Sequence, residues 1–158
     1  MTEFLIRVED LRLSTWIREG GSLLAFPTLL FLHTLGMSIV AGASTLLSVA
    51  LLGFWPRTSL KSLEKLYRPI WVAFWINAVT GTFLLMADAS KTLGKPDFYV
   101  KMTCVFVGVA LLRVTRKKVF GDPALEAAPV STSAKALAWA SLVCWFGAIV
   151  AGRLLAYT

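Results

Sequence analysis

The sequence predicts an all-α membrane protein in which four transmembrane helices form one bundle, preceded by a short N-terminal amphipathic interfacial helix. Hydrophobic residues make up 57% of the 158 residues, and the mean hydropathy is +0.71. The apolar residues occur in four long blocks, whereas a soluble core gives short periodic stripes. A helix needs about 20 apolar residues to cross a bilayer, so each block is a candidate span.

The four predicted spans differ in length and in the residues that bound them. The first contains no Asp, Glu, Lys or Arg and is over-long, so we expect it to tilt or project, with Pro27 in its first turns. The third is short and needs Lys101 and Arg113 to reach the interface from its ends. Ser131 or Ser133 is the expected N-cap of the fourth. The predicted spans are about 23–55, 69–87, 98–112 and 136–156, within one domain of residues 22–158.

Residues 1–21 form a separate segment in this prediction. Apolar side chains recur at helical intervals between charges from Phe4 to Trp16, and Gly20 and Gly21 end the pattern. This pattern is typical of a helix that lies in the membrane interface. The mixed charges are unlike those of a secretory signal peptide, so we expect Met1 to be the mature start.

The distribution of Lys and Arg predicts an orientation. Nine of the 16 basic residues lie in the segments that join spans one to two and three to four, and the remaining segments hold six of the nine acidic residues. The positive-inside rule therefore places both termini outside the cytoplasm. Basic loops that face anionic lipid headgroups account for the net charge of +7. The basic clusters have few stacking aromatics, so we expect a bilayer and no nucleic acid as partner.

His33 is the only histidine in the chain, and it lies within the first span. A helical wheel places it with Gly36 and Ser44 on a face suited to helix contacts, while Leu35 and Ile39 share a face suited to lipid. Span two repeats the first pattern with Asn77, Thr80 and Gly81. At about 16 Å below the outer surface, His33 is a candidate functional group, because ionisable residues inside membranes are costly.

Several interpretations of His33 stay open from the residues alone. It can make a hydrogen bond to a neighbouring helix, bind the iron of heme b, bind copper or carry a proton. In the heme interpretation, Lys101 and Arg153 lie near the outer surface and meet the propionates. Met37, one turn from His33, would allow a soft-metal pair. One histidine and two cysteines in different spans match neither a zinc site nor a hydrolase triad.

Short motifs that keep their order over nearly the whole chain are Trp16-Ile17-Arg18, Phe26-Pro27-Thr28, His33 with Gly36, Leu51-Leu52-Gly53, Phe98 with Lys101-Met102, and Ala151-Gly152-Arg153 with Ala156-Tyr157. This pattern resembles an uncharacterised family of four-helix bacterial inner-membrane proteins. That family is distantly similar to the copper-resistance protein D group and to the heme-binding membrane protoporphyrinogen oxidase. The resemblance implies a bacterial inner-membrane location, and it matches His33 and Lys101 to a histidine and a lysine of the oxidase's functional core.

The sequence also departs from that family. Leu30 stands where the family has an acidic residue, Ser48-Val49-Ala50 replaces Asp-Leu-Arg, and Arg116 is nearest to a histidine that often ends span three. Without a second histidine, bis-histidine heme ligation is lost. Two functions are therefore expected: an accessory or structural subunit of a larger membrane complex, packed against other membrane proteins or itself, or alternatively a heme-b protein for electron transfer or porphyrin oxidation that uses His33.

The orientation gives a first testable prediction. A tag inserted at Lys117 should be cytoplasmic and a tag after Thr158 external, because basic segments are retained on the cytoplasmic side. Accessibility labelling of intact cells measures this. Labelling of the Lys117 tag from outside would reverse the orientation and move Lys101 to the cytoplasmic level.

Overall fold

The computed structural model describes residues 25–55, 59–122, 129–155 and 157, so the predicted interfacial helix of residues 1–21 lies outside the described residues. Within those ranges the secondary structure is helical. The α-helices are α1 (Ala25–Leu51), α2 (Leu60–Leu63), α3 (Tyr67–Ala87), α4 (Ala89–Leu93), α5 (Pro96–Thr115) and α6 (Thr132–Leu154). A 3-10 turn over Glu64–Leu66 joins α2 to α3, and a π-helical turn over Arg116–Phe120 continues α5.

Four helical segments are long and apolar enough to cross a membrane, which confirms the predicted fold class. They are Phe26–Leu51, Leu60–Ala87, Pro96–Phe120 and Thr132–Leu154. Helix α1 packs against α3 and α6, and α6 also packs against α5. Helices α1 and α6 therefore form the middle of the bundle. The length and composition of these helices are compatible with an integral membrane protein.

The first span is shorter than predicted and ends at Leu51 rather than near Trp55. Gly53 has a φ of 90°, a left-handed conformation that glycine adopts without a steric penalty. Its N–H donates to the Ala50 carbonyl at 3.0 Å, and the next N–H, of Phe54, donates to Val49 at 3.3 Å. This pair of hydrogen bonds is the Schellman arrangement, which terminates a helix and satisfies its last carbonyls.

The second and third helical segments extend beyond their predicted bounds, and the fourth begins and ends earlier than predicted, at Thr132 and Leu154. Helical structure before Pro69 begins at Leu60, and Pro69 falls in the first turn of α3, where its missing N–H is tolerated. The third segment continues past Leu112 to Phe120. Ser131 is the N-cap of α6, since its hydroxyl accepts a hydrogen bond from Ala134 N–H. That cap agrees with one of the two predicted residues.

Several large buried side chains lie at one end of the bundle, which we call the core end. They include Tyr67, Leu51 and Ile70, each at most 2% exposed, while the equally buried Trp145 lies in the middle of α6. The opposite end, which contains His33, buries small residues instead: Gly36, Thr80, Ala87, Ala148 and Ala151. Close packing of large side chains therefore stabilises the helix contacts at the core end. At the histidine end, small residues let the helix backbones approach each other closely.

The predicted faces of α1 are confirmed, and the buried hydroxyls on its contact face bond within the helix itself. Leu35 and Ile39 are exposed, and Ser44 and Ser48 are buried. Ser44 donates to the Val40 carbonyl at 2.6 Å, and Ser48 donates to the Ser44 carbonyl at 2.9 Å. The carbonyl four residues earlier is within reach in any helix, so these hydroxyls are satisfied without a neighbouring helix.

Small residues of α6 lie against α5. A Cβ at Gly147 would lie 3.1 Å from the Cys104 sulfur, and one at Gly152 would lie 3.5 Å from the stem of Lys101. Ala148, between them, is completely buried. Small residues of α6 therefore contribute to the α5–α6 contact.

A matched pair of glycines tests the packing in the middle of the bundle. A Cβ at Gly108 would lie 3.0 Å from the Trp145 ring, which is 1% exposed, whereas a Cβ at Gly42 meets no atom within 4 Å. Gly108→Ala should lower stability by about 1–3 kcal/mol through overpacking. Gly42→Ala should leave stability unchanged or raise it by up to about 1 kcal/mol. Thermal unfolding in detergent measures both, and equal melting temperatures would contradict the described Trp145 packing.

A candidate histidine site

Helix α3 holds the imidazole of His33 through one ring nitrogen. Nδ1 lies 3.0 Å from the backbone carbonyl oxygen of Asn77 and 3.3 Å from the hydroxyl oxygen of Thr80. The Thr80 hydroxyl donates its own proton to a carbonyl of its helix, with Ile76 at 2.7 Å. Both neighbours of Nδ1 are thus acceptors. Nδ1 therefore carries a proton and donates it to α3.

The imidazole lies directly against Gly81. A Cβ at this position would be 2.8 Å from Cε1 and 3.2 Å from Nδ1 of His33, and the shorter of these distances would force the ring or the backbone to shift. One turn along α1, a Cβ at Gly36 would lie 3.0 Å from the Ala73 carbonyl oxygen. The two glycines bring the helices close enough for the imidazole to reach the α3 backbone.

This anchoring orients the second ring nitrogen. With the proton on Nδ1, the neutral imidazole carries its lone pair on Nε2. In the described ranges no protein hydrogen bond to Nε2 is found. A carbonyl acceptor on one nitrogen is the usual support for a histidine that binds a metal through the other, because it fixes the ring and increases its basicity. His33 can therefore bind a metal or accept a proton at Nε2.

Lys101 is the predicted site residue that the structure brings near His33. It lies in the second turn of α5, partly buried, with its aliphatic stem against Gly152. The charge of its ammonium group acts on the imidazole. Among the described residues, no ion pair to this ammonium is found. The site thus combines an oriented imidazole with a nearby positive charge.

The other predicted candidates lie elsewhere. Arg153 is exposed, and its guanidinium lies 5.2 Å from the centroid of the Tyr157 ring. Met37 packs against the hydrophobic core. In the part of the chain that the structure describes, no three His, Cys, Asp or Glu side chains form a group that could hold a metal ion. Among the described residues, no contact of Arg153 or Met37 with His33 is found. A metal bound at His33 would therefore have this imidazole as its one ligand from that part of the chain.

Asn77 contacts His33 through its backbone carbonyl and not through its side chain. Its backbone carbonyl accepts from His33, while its side-chain Oδ1 is buried and has no hydrogen-bond partner. A buried amide oxygen without a partner is costly in an apolar setting. This oxygen is thus a free acceptor on the helix that holds the imidazole.

The tautomer of His33 is a testable consequence of these contacts. Because His33 is the only histidine, ¹⁵N-histidine labelling gives one pair of ring nitrogens in an NMR spectrum of the protein in micelles. We expect protonated Nδ1 and unprotonated Nε2 in the neutral ring. Gly81→Ala should push the ring away and mix the tautomers, whereas Gly42→Ala should not change the spectrum. A wild-type signal from protonated Nε2 would contradict the Nδ1 anchor.

Comparison with known proteins adds no relative: the chain matches no family model, and neither a curated protein nor a solved structure matches it. The resemblance to four-helix inner-membrane proteins stays a prediction, together with the roles it implies for His33 and Lys101. The function of the site is therefore inferred from the contacts of His33 in the structure.

Proposed function

We propose that this membrane protein binds heme b through Nε2 of His33 and serves in electron transfer or porphyrin oxidation. The observation that carries the proposal is the hydrogen bond from His33 Nδ1 to the Asn77 carbonyl at 3.0 Å. It directs the lone pair of the only imidazole in the chain away from α3. An axial histidine of a heme protein needs this kind of support on its other nitrogen.

The residues around His33 have side chains whose charge and size suit a bound heme. Lys101 offers a positive charge near the imidazole, which suits an anionic propionate. Gly81 lets the ring lie against α3. Bound heme would supply one-electron chemistry, and the protein would supply the ligand, the apolar surroundings and the charge. Arg153 enters the proposal with less support, since it lies over Tyr157.

A second candidate is a cofactor-free accessory or structural subunit of a larger membrane complex. One observation favours it: from Phe26 to Leu35, the first half of α1 has no buried residue, although α1 is central in the other half. A helix of a partner protein would cover this surface. In this case His33 is an interhelical hydrogen bonder, and such contacts contribute on average only about 0.6 kcal/mol in membranes.

A spectrum of the purified protein separates the two candidates. With heme bound, the wild type should give a reduced-minus-oxidised difference spectrum in the Soret and α-band regions. His33→Leu should abolish it, since leucine is accepted by the bilayer but offers no ligand. Gly42→Ala is the control and should retain the full spectrum, because nothing lies within 4 Å of that position.

Two outcomes would contradict the heme proposal. One is a wild type that has no such spectrum after expression with added heme precursor. The other is an unchanged spectrum in His33→Leu. If blue-native gels then showed wild-type protein in a larger species, and Leu35→Ser on the exposed face of α1 shifted it to the size of the single chain, the accessory-subunit function would be supported instead.

A further inference from the structure

A basic groove lies at the core end, opposite the end that contains His33. Its wall is formed by the segment that leads into α3 and by the π-helical turn after α5. The charged residues that line it are Lys61, Lys65, Arg68 and Arg116, with Glu64 as the acidic member. The groove therefore carries an excess of positive charge, although the two segments are far apart in the sequence.

The depth of the groove in the membrane follows from the spans that form it. Lys65 and Arg68 lie in the first turns of the segment Leu60–Ala87, and Arg116 lies in the last turns of Pro96–Phe120. The ends of transmembrane helices lie at the level of the lipid headgroups. The positive charges of the groove thus meet the layer that contains the lipid phosphates.

The lining of the groove changes from charged to apolar along α3. Trp71 and Val72 continue it beyond Arg68, and Val72 is 56% exposed on a helix that crosses the bilayer. An anionic phospholipid changes from charged to apolar in the same order, because its headgroup is followed by acyl chains. A small soluble anion would use the basic part and leave the apolar part unused.

Two arginines near the groove lie over aromatic rings. The Arg116 guanidinium lies 5.4 Å from the centroid of Tyr67, and the Arg113 guanidinium lies 4.9 Å from that of Trp71. Stacking uses the face of a guanidinium and leaves N–H groups at its edge for hydrogen bonds to phosphate. Arginine side chains restrained in this way lose less conformational entropy when an anion binds.

Much of the positive charge is open to a ligand. Arg116 makes a long contact with Glu64, at 3.7 Å, and both side chains are more than 40% exposed, so the pair is weak. For Lys65 and Arg68, no ion pair with a described residue is found. The local excess of positive charge is therefore not neutralised by these neighbours.

We propose that this groove binds the headgroup of one anionic phospholipid, with the phosphate at Arg68 and Arg116 and an acyl chain along Val72. Basic pockets between transmembrane helices bind such headgroups in general. The site is independent of His33, so the lipid proposal and the heme proposal fail or succeed separately.

Native mass spectrometry of the full-length protein in detergent tests this site. With equimolar phosphatidylglycerol and phosphatidylcholine, the wild type should retain one phosphatidylglycerol. Arg68→Gln and Arg116→Gln should each weaken its binding about fivefold, the effect of removing one basic residue near a lipid surface. Lys135→Gln is the matched control, because it removes one exposed positive charge near the start of α6, outside the groove lining, and should leave binding unchanged.

Glu64→Gln gives an independent variant in case loss of an arginine disturbs folding. It removes the carboxylate that competes for Arg116, so phosphatidylglycerol binding should become tighter. Inorganic phosphate at millimolar concentration should not displace the lipid. Equal losses in Lys135→Gln and Arg68→Gln would show diffuse surface charge and overturn the site. Displacement by inorganic phosphate, or weaker binding in Glu64→Gln, would overturn the lipid assignment.

Discussion

Polar groups that these helices carry into the bilayer must be satisfied within the protein, because hydrocarbon offers no hydrogen-bond partner. Most hydroxyls in the spans are satisfied locally, by the carbonyl four residues earlier: Thr34, Ser38, Ser44, Ser48 and Thr82. Such bonds do not position one helix relative to another. His33 differs, since its Nδ1 bonds to the backbone of α3 instead. The close approach of α1 to α3 at Gly36 and Gly81 is the geometry that this bond requires.

The number of spans and their buried faces followed from the sequence, but their ends did not. Hydropathy reports where a helix leaves the hydrocarbon, whereas the helix itself continues into the headgroup layer. Charged residues from Arg113 to Lys118 thus resembled a loop, yet they remain helical, and Arg113 lies over Trp71. The N-cap at Ser131 was predictable because a cap depends on a few adjacent residues.

The histidine site was predictable to the level of a helix face. The spacing of Asn77, Thr80 and Gly81 places them on one side of α3, and the structure brings that side to His33. The acceptor itself, a backbone carbonyl, could not be predicted, since every residue carries one and only the helix crossing selects it. The basic groove was beyond sequence reasoning for a similar reason. It joins Arg68 to Arg116, and nothing in the local sequence pairs those segments.

The uneven packing of the bundle separates stability from the chemistry of the site. Tyr67 and Leu51 are buried at the core end and Trp145 is buried in the middle of the bundle, where adding or removing a methylene group disturbs close packing. Around His33 the buried residues are small, and the imidazole itself is only partly buried. Substituting His33 therefore removes one N–H donor, shared between Asn77 and Thr80, and little apolar contact. A variant at this position should remain a folded bundle, so its properties report what the imidazole does rather than whether the protein folds.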